Sequence, residues 1–246
     1  MRHGFVLALA GALAGTSLVF ACATASAVSP TAAAGESVLF IGNSLTAAND
    51  LPARVAEIAA AAGHRLRTGA VTASGASLLD HWADGGALHA IREGRWDVVA
   101  LQQGPSTLPE SRAELIASTR RFAAEIRRAG GRPALLMVWP LPGQQAAAVS
   151  ASYRAAAEAS DALLLPAGDA WTIAGARDPS LVLVGPDGFH PSALGTYVAA
   201  LAVACALYPD RPALSRATGP AALSLDTRRR EILVDAACGA AIDRTN

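Results

Sequence analysis

The feature that most restricts how this chain can fold is a set of short, solid apolar runs alternating with stretches of helical spacing. Ser37-Val38-Leu39-Phe40-Ile41 ends at Gly42, and residues 65–73, 97–101, 133–139 and 162–165 are further strand candidates. Leu51, Val55, Ile58 and Ala62 recur at helical spacing behind Asp50 and Pro52, until Gly63 stops them. Helices are also predicted over residues 111–129, 145–160, 192–207 and 226–241. A strand that is apolar on both faces must be covered on both, and strands alternating with helices run parallel. The pattern therefore predicts an α/β fold, a three-layer α/β/α sandwich around a central parallel sheet of about five strands.

The N-terminus reads differently. Arg2 and His3 precede an almost uncharged apolar run over residues 5–21, and Ala25-Ser26-Ala27 supplies a small-x-small cleavage pattern. Residues 1–27 are thus read as a signal peptide, 28–36 as a short linker, and 37–246 as one domain. The apolar run is short for a membrane span, so no stable span is expected after cleavage. Val19-Phe20-Ala21-Cys22 resembles a lipoprotein box, an alternative in which Cys22 is lipidated, although Phe20 is bulky for its place. The predicted location is secreted, periplasmic or in the cell envelope. In an oxidising compartment Cys205 and Cys238 would pair, tying the last two helices together; the other reading is two buried thiols.

Charge narrows the partners. Twenty basic residues, all of them Arg, balance twenty acidic ones. This leaves no net basic character for nucleic acid or an anionic membrane. His64, His89 and the cysteines lack metal-ligand spacing, so no metal and no cofactor is expected.

Sheets of this class bind ligands beyond the carboxyl ends of their strands. After the first strand comes Gly42-Asn43-Ser44-Leu45-Thr46, which places a serine hydroxyl between a strand and a helix start. Serines follow Gly-x at Ser44, Ser77 and Ser106, none with the second glycine of a nucleophile elbow. Late in the chain, Asp187-Gly188-Phe189-His190-Pro191 puts a carboxylate three residues before an imidazole, close enough to hold one tautomer if the loop turns back. Each segment alone also fits a turn or a helix cap. Ser106 is the rival nucleophile. His81, beside Asp80 and Trp82, is read as a surface helix residue that could instead line the pocket.

Taken together, Gly-Asn-Ser-Leu-Thr and Asp-Gly-Phe-His-Pro resemble the SGNH hydrolase family, the GDSL-like serine esterases. The resemblance runs from Val38 to about Tyr208, with Asn43 where the family usually has Asp. It implies an SGNH, flavodoxin-like fold and a triad of Ser44, Asp187 and His190. It also implies an oxyanion hole including the N–H groups of Ser44 and Gly75, the latter in Thr72-Ala73-Ser74-Gly75. The family's Gly-x-Asn-Asp block is replaced by Leu101-Gln102-Gln103-Gly104-Pro105, and alternation along the strand assigns the missing donor to Gln102. The implied activity is hydrolysis of small acyl esters, acetyl groups on carbohydrate first, through an acyl-serine intermediate. The expected partner is a small-molecule or carbohydrate ester. Two alternatives stay open: an O-acyltransferase acting on envelope glycan with the same triad, and a catalytically silent binding module.

Overall fold

The computed structural model describes Met1, residues 36–208 and residues 225–242. The expected signal peptide, Cys22 and nearly all of the linker lie outside these residues. Five parallel strands form one sheet: β1 (Glu36–Gly42), β2 (Leu66–Thr72), β3 (Val98–Leu101), β4 (Arg132–Leu136) and β5 (Leu163–Leu165). Their order is β2-β1-β3-β4-β5. The helices are α1 (Ser44–Ala47), α2 (Leu51–Ala61), α3 (Leu78–Asp84), α4 (Gly86–Gly94), α5 (Pro109–Arg128), α6 (Ala146–Ser160), α7 (Ala167–Arg177), α8 (Ala193–Leu207) and α9 (Thr227–Ile242). The expected α/β architecture is present.

Packing follows from the residues. β3 is buried along its whole length, and so is β1 after Glu36, because helices cover both faces. One group of helices comprises α2, α7, α8 and α9; α3, α4, α5 and α6 make a second. α8 is apolar on every side and buries nearly all of its residues, which suits a helix enclosed by α2, α7 and α9. Cys205 on α8 and Cys238 on α9 are disulfide-bonded, with Cα atoms 5.0 Å apart.

Two strand readings change. β2 is an edge strand with alternating exposure, not a solid apolar run. β4 ends at Leu136 rather than Trp139, because its neighbour β5 is only three residues long and gives the chain no further ladder. α1, α3, α4 and α7 are helices that the sequence pattern does not delimit. α4 begins and ends on glycine and buries only Ala87 and Ile91, a signal too short for periodicity to reveal.

The chain enters at β1, runs to β2 on one side, then crosses to β3 on the other. At such a reversal the segments leaving adjacent strands diverge and open a crevice at their carboxyl ends. Ser44 follows β1, Gly75 follows β2, and Gln102 and Gln103 follow β3, so all of them emerge at this point.

Candidate active site

Asn43 caps α1, its Oδ1 accepting the Leu45 N–H at 3.1 Å, and Ser44 is the first helical residue. The turn that carries Ser44 is clamped from two sides. From β3, the Gln102 side chain reaches beneath it: Oε1 accepts the Asn43 N–H at 2.9 Å and the Thr46 hydroxyl at 2.7 Å. Its Nε2 donates to Asn43 Oδ1 at 3.1 Å and to Gln103 O at 2.7 Å. From α3, His81 Nε2 lies 2.8 Å from the Gly42 carbonyl, which can only accept, so this nitrogen carries the proton. Gly42 has to be glycine, because a methyl group there would overlap Gln102 Oε1 and Thr46 Oγ1.

These contacts correct two expectations. Gln102 is 1% exposed, and both of its amide hydrogens are spent within the turn, so it has no donor left for an oxyanion. Gly42 leaves room for the Gln102 side chain below the nucleophile turn, where its amide is consumed. His81 is not a surface residue. It is 3% exposed and supports the end of β1 from behind.

The Asp187–His190 loop folds back as the motif requires. Val184 and Pro191 form an antiparallel bridge, Gly185 N–H donates to His190 O at 2.7 Å, and Gly188 takes a left-handed φ of +72°. Asp187 Oδ1 accepts the backbone N–H groups of Phe189 and His190, both at 3.0 Å, while Oδ2 holds His190 Nδ1 at 2.6 Å. The imidazole hydrogen bond, followed by those two N–H groups, lowers the Asp187 pKa to about 2. With Nδ1 bound to a carboxylate, Nε2 is the nitrogen left to act as a base.

One contact that sequence reasoning missed joins the two halves. Asn49, with φ +53°, donates from Nδ2 to Pro191 O and to Thr196 Oγ1, both at 2.9 Å. It therefore ties the stretch after Ser44 to the residue after His190. Asparagine tolerates the left-handed conformation, but a single residue carries no pattern that announces such a bond. Behind the loop, Trp171 stacks on Trp139 at 4.1 Å and donates to Gly195 O at 3.0 Å.

Ser44 and His190 line the same cleft, of about 480 Å³, together with Gly75 and Gln103. Gly75 sits in a turn closed by Ala76 N–H to Ala73 O at 3.1 Å, with the φ of +72° that the third position of a type II turn demands. Ser106 also lines it, but its hydroxyl donates to Gly104 O at 3.0 Å and accepts from Gln103 Nε2 at 2.9 Å. A hydroxyl engaged with a carbonyl rather than an imidazole is not set up as a nucleophile. Among the described residues, no cluster of three or more His, Cys, Asp or Glu side chains is placed to hold a metal ion, and no helix is long and apolar enough to cross a membrane.

The fold is similar to that of solved SGNH hydrolases. A candidate SGNH hydrolase from Slackia heliotrinireducens is 26% identical, with a TM-score of 0.57 over 70% of this chain and 98% of that one. A DUF4886 family protein from Bacteroides uniformis superposes with a TM-score of 0.70 at 19% identity, over 83% of this chain and 94% of its own. A variant of an acetyl-xylooligosaccharide esterase from Geobacillus stearothermophilus gives 0.52 at 19% identity, over 68% and 93%. No protein-family profile matches the chain, and no curated protein matches it significantly.

Proposed function

We propose that this protein is an exported serine esterase that removes small acyl groups, acetyl first, from carbohydrate. The observation that carries the reading is the convergence of Ser44 and an Asp187-held His190 on one cleft at the strand reversal. The acetyl-xylooligosaccharide esterase among the structural neighbours agrees with it.

In this mechanism Ser44 Oγ attacks the ester carbonyl carbon and His190 Nε2 takes its proton. Asp187 steadies the imidazolium through Nδ1. The tetrahedral intermediate collapses, the alcohol leaves with the proton from His190, and water repeats the sequence to release the acid. The N–H groups of Ser44 and Gly75 receive the oxyanion.

Gln103, not Gln102, is the third donor. Its Oε1 accepts the Leu78 N–H at 3.1 Å, so the amide orientation is set. Leu78 lies beyond β2 and Gln103 beyond β3, with β1 between them. The side chain that joins them must therefore cross the end of β1, where Ser44 stands. One Nε2 hydrogen goes to Ser106, and the second is left for the cleft that Gln103 lines.

Turnover of p-nitrophenyl esters of increasing chain length tests the reading. Acetate is expected to be the best substrate, and Ser44→Ala to lower kcat by about 10³-fold or more. Residual activity within about tenfold of the unaltered enzyme would remove Ser44 from its role. Complete inertness of the unaltered protein would favour a silent binding module.

A further inference from the structure

We propose that the cleft selects an uncharged sugar as the alcohol half of the ester and rejects anionic sugars, with Glu114 as the residue that discriminates and Phe189 as the platform. The inference rests on the esterase reading above and adds the substrate's charge.

Part of the cleft wall comes from the first turns of α5. Ser111 and Glu114 stand three residues apart on one helix face, and both line the cleft. Buried Ser118, one turn further on, donates its hydroxyl to Glu114 Oε1 at 2.6 Å. That bond holds the carboxylate and leaves Oε2 free to accept. Several acidic side chains on this surface meet an arginine, among them Glu57, Glu125, Asp161, Asp169 and Asp178. Glu114 has no such partner among the described residues. Among the described residues no arginine lines the cleft, and the chain has no lysine.

The remaining lining is hydroxyl-rich. Ser74 and Ser77 form the wall after β2, and Asp80 just behind them bonds the Ser77 N–H and hydroxyl at 2.8 and 2.9 Å. These bonds hold the Asp80 pKa below its ordinary value, so a second negative charge stands at this rim. A polyhydroxylated group can donate hydrogen bonds to Glu114 and exchange them with the serines.

Phe189 completes the site. It is 40% exposed, adjoins His190 at 4.9 Å in an edge-to-face arrangement, and lines the cleft mouth. An aromatic face left open beside the base gives the C–H face of a sugar ring a surface to rest on. A uronate or a phosphorylated sugar in the same place would bring its anion towards Glu114 and Asp80, with no arginine among the described lining residues to offset them.

The test uses the full-length protein and matched soluble substrates, an acetylated methyl glucoside and an acetylated methyl glucuronoside, with p-nitrophenyl acetate alongside. The unaltered enzyme should prefer the glucoside in kcat/KM by about tenfold or more at low salt, and the preference should shrink as salt rises. Glu114→Gln should bring the two within about threefold, chiefly by raising activity on the glucuronoside. Phe189→Ala should raise KM for the glucoside more than it lowers kcat. Equal activity on both sugars, or a preference that neither salt nor Glu114→Gln changes, overturns the inference. The salt series needs no variant, so a misfolded Glu114→Gln does not leave the matter undecided. Turnover of p-nitrophenyl acetate with neither sugar ester cleaved also overturns it, while leaving the esterase reading standing. No turnover of any of the three substrates overturns both.

Discussion

Gln102→Ala separates support of the nucleophile turn from oxyanion binding. The substitution removes four hydrogen bonds at once, those to Asn43 N, Thr46 Oγ1, Asn43 Oδ1 and Gln103 O. The two carbonyl acceptors keep other donors: Leu45 N–H still reaches Asn43 Oδ1, and the Tyr153 hydroxyl still reaches Gln103 O at 2.6 Å. The Asn43 N–H and Thr46 hydroxyl lose their partner in a buried setting. Leaving such a group unsatisfied costs about 1–3 kcal/mol, so the pair together predicts a loss of about 4 kcal/mol. Urea unfolding of Gln102→Ala and the unaltered protein measures this as a drop in midpoint at constant slope. Activity should fall as well, because the turn that aims Ser44 loosens, and it should fall together with stability. A loss below about 1 kcal/mol would refute the clamp. An unchanged midpoint with kcat down by about 10²-fold or more would return Gln102 to the oxyanion hole.

Gln103→Ala should show the opposite balance, with kcat lower by about 10²–10³-fold, KM little changed, and a smaller stability cost than Gln102→Ala. Steady-state kinetics beside urea unfolding checks this, and kcat within a few fold of normal would leave the site with two backbone donors. Asp187 has a lowered folded pKa, so its contribution to stability is complete above the unfolded value of 3.8 and is lost as pH falls towards about 2. Asp187→Asn should therefore be less stable than the unaltered protein at pH 5, and the gap should close near pH 2; a gap that persists there contradicts the linkage. Replacing Cys205 and Cys238 by Ala should lower stability by about 3–4 kcal/mol if the bridge acts through chain entropy. Calorimetry reads this out, and an unchanged Tm would show that helix packing alone holds α8 to α9.

The parallel sandwich was legible in the sequence because its inner strands β1, β3 and β4 are buried on both faces and so read as uninterrupted apolar runs. The Asp187–His190 pairing could be read as well, since the two lie three residues apart and the geometry is local. α4 was not, because a short helix that buries only Ala87 and Ile91 leaves no periodic trace. The distribution of roles after β3 lay beyond any local pattern. Gln102 and Gln103 are adjacent and chemically identical, and strand alternation alone favours the first. Only the packed structure separates them. The space left by Gly42 draws Gln102 beneath the nucleophile turn, and the Leu78 N–H draws Gln103 across the end of β1. The same holds for Asn49, whose bond to Pro191 spans 142 residues, and for Glu114, which the fold brings to the cleft that Ser44 and His190 line. Sequence determined which groups this protein has for its chemistry and the local turns that present them. Tertiary packing decided which partners each of two identical amides takes, because a side chain takes the hydrogen-bond partners that the fold brings within reach.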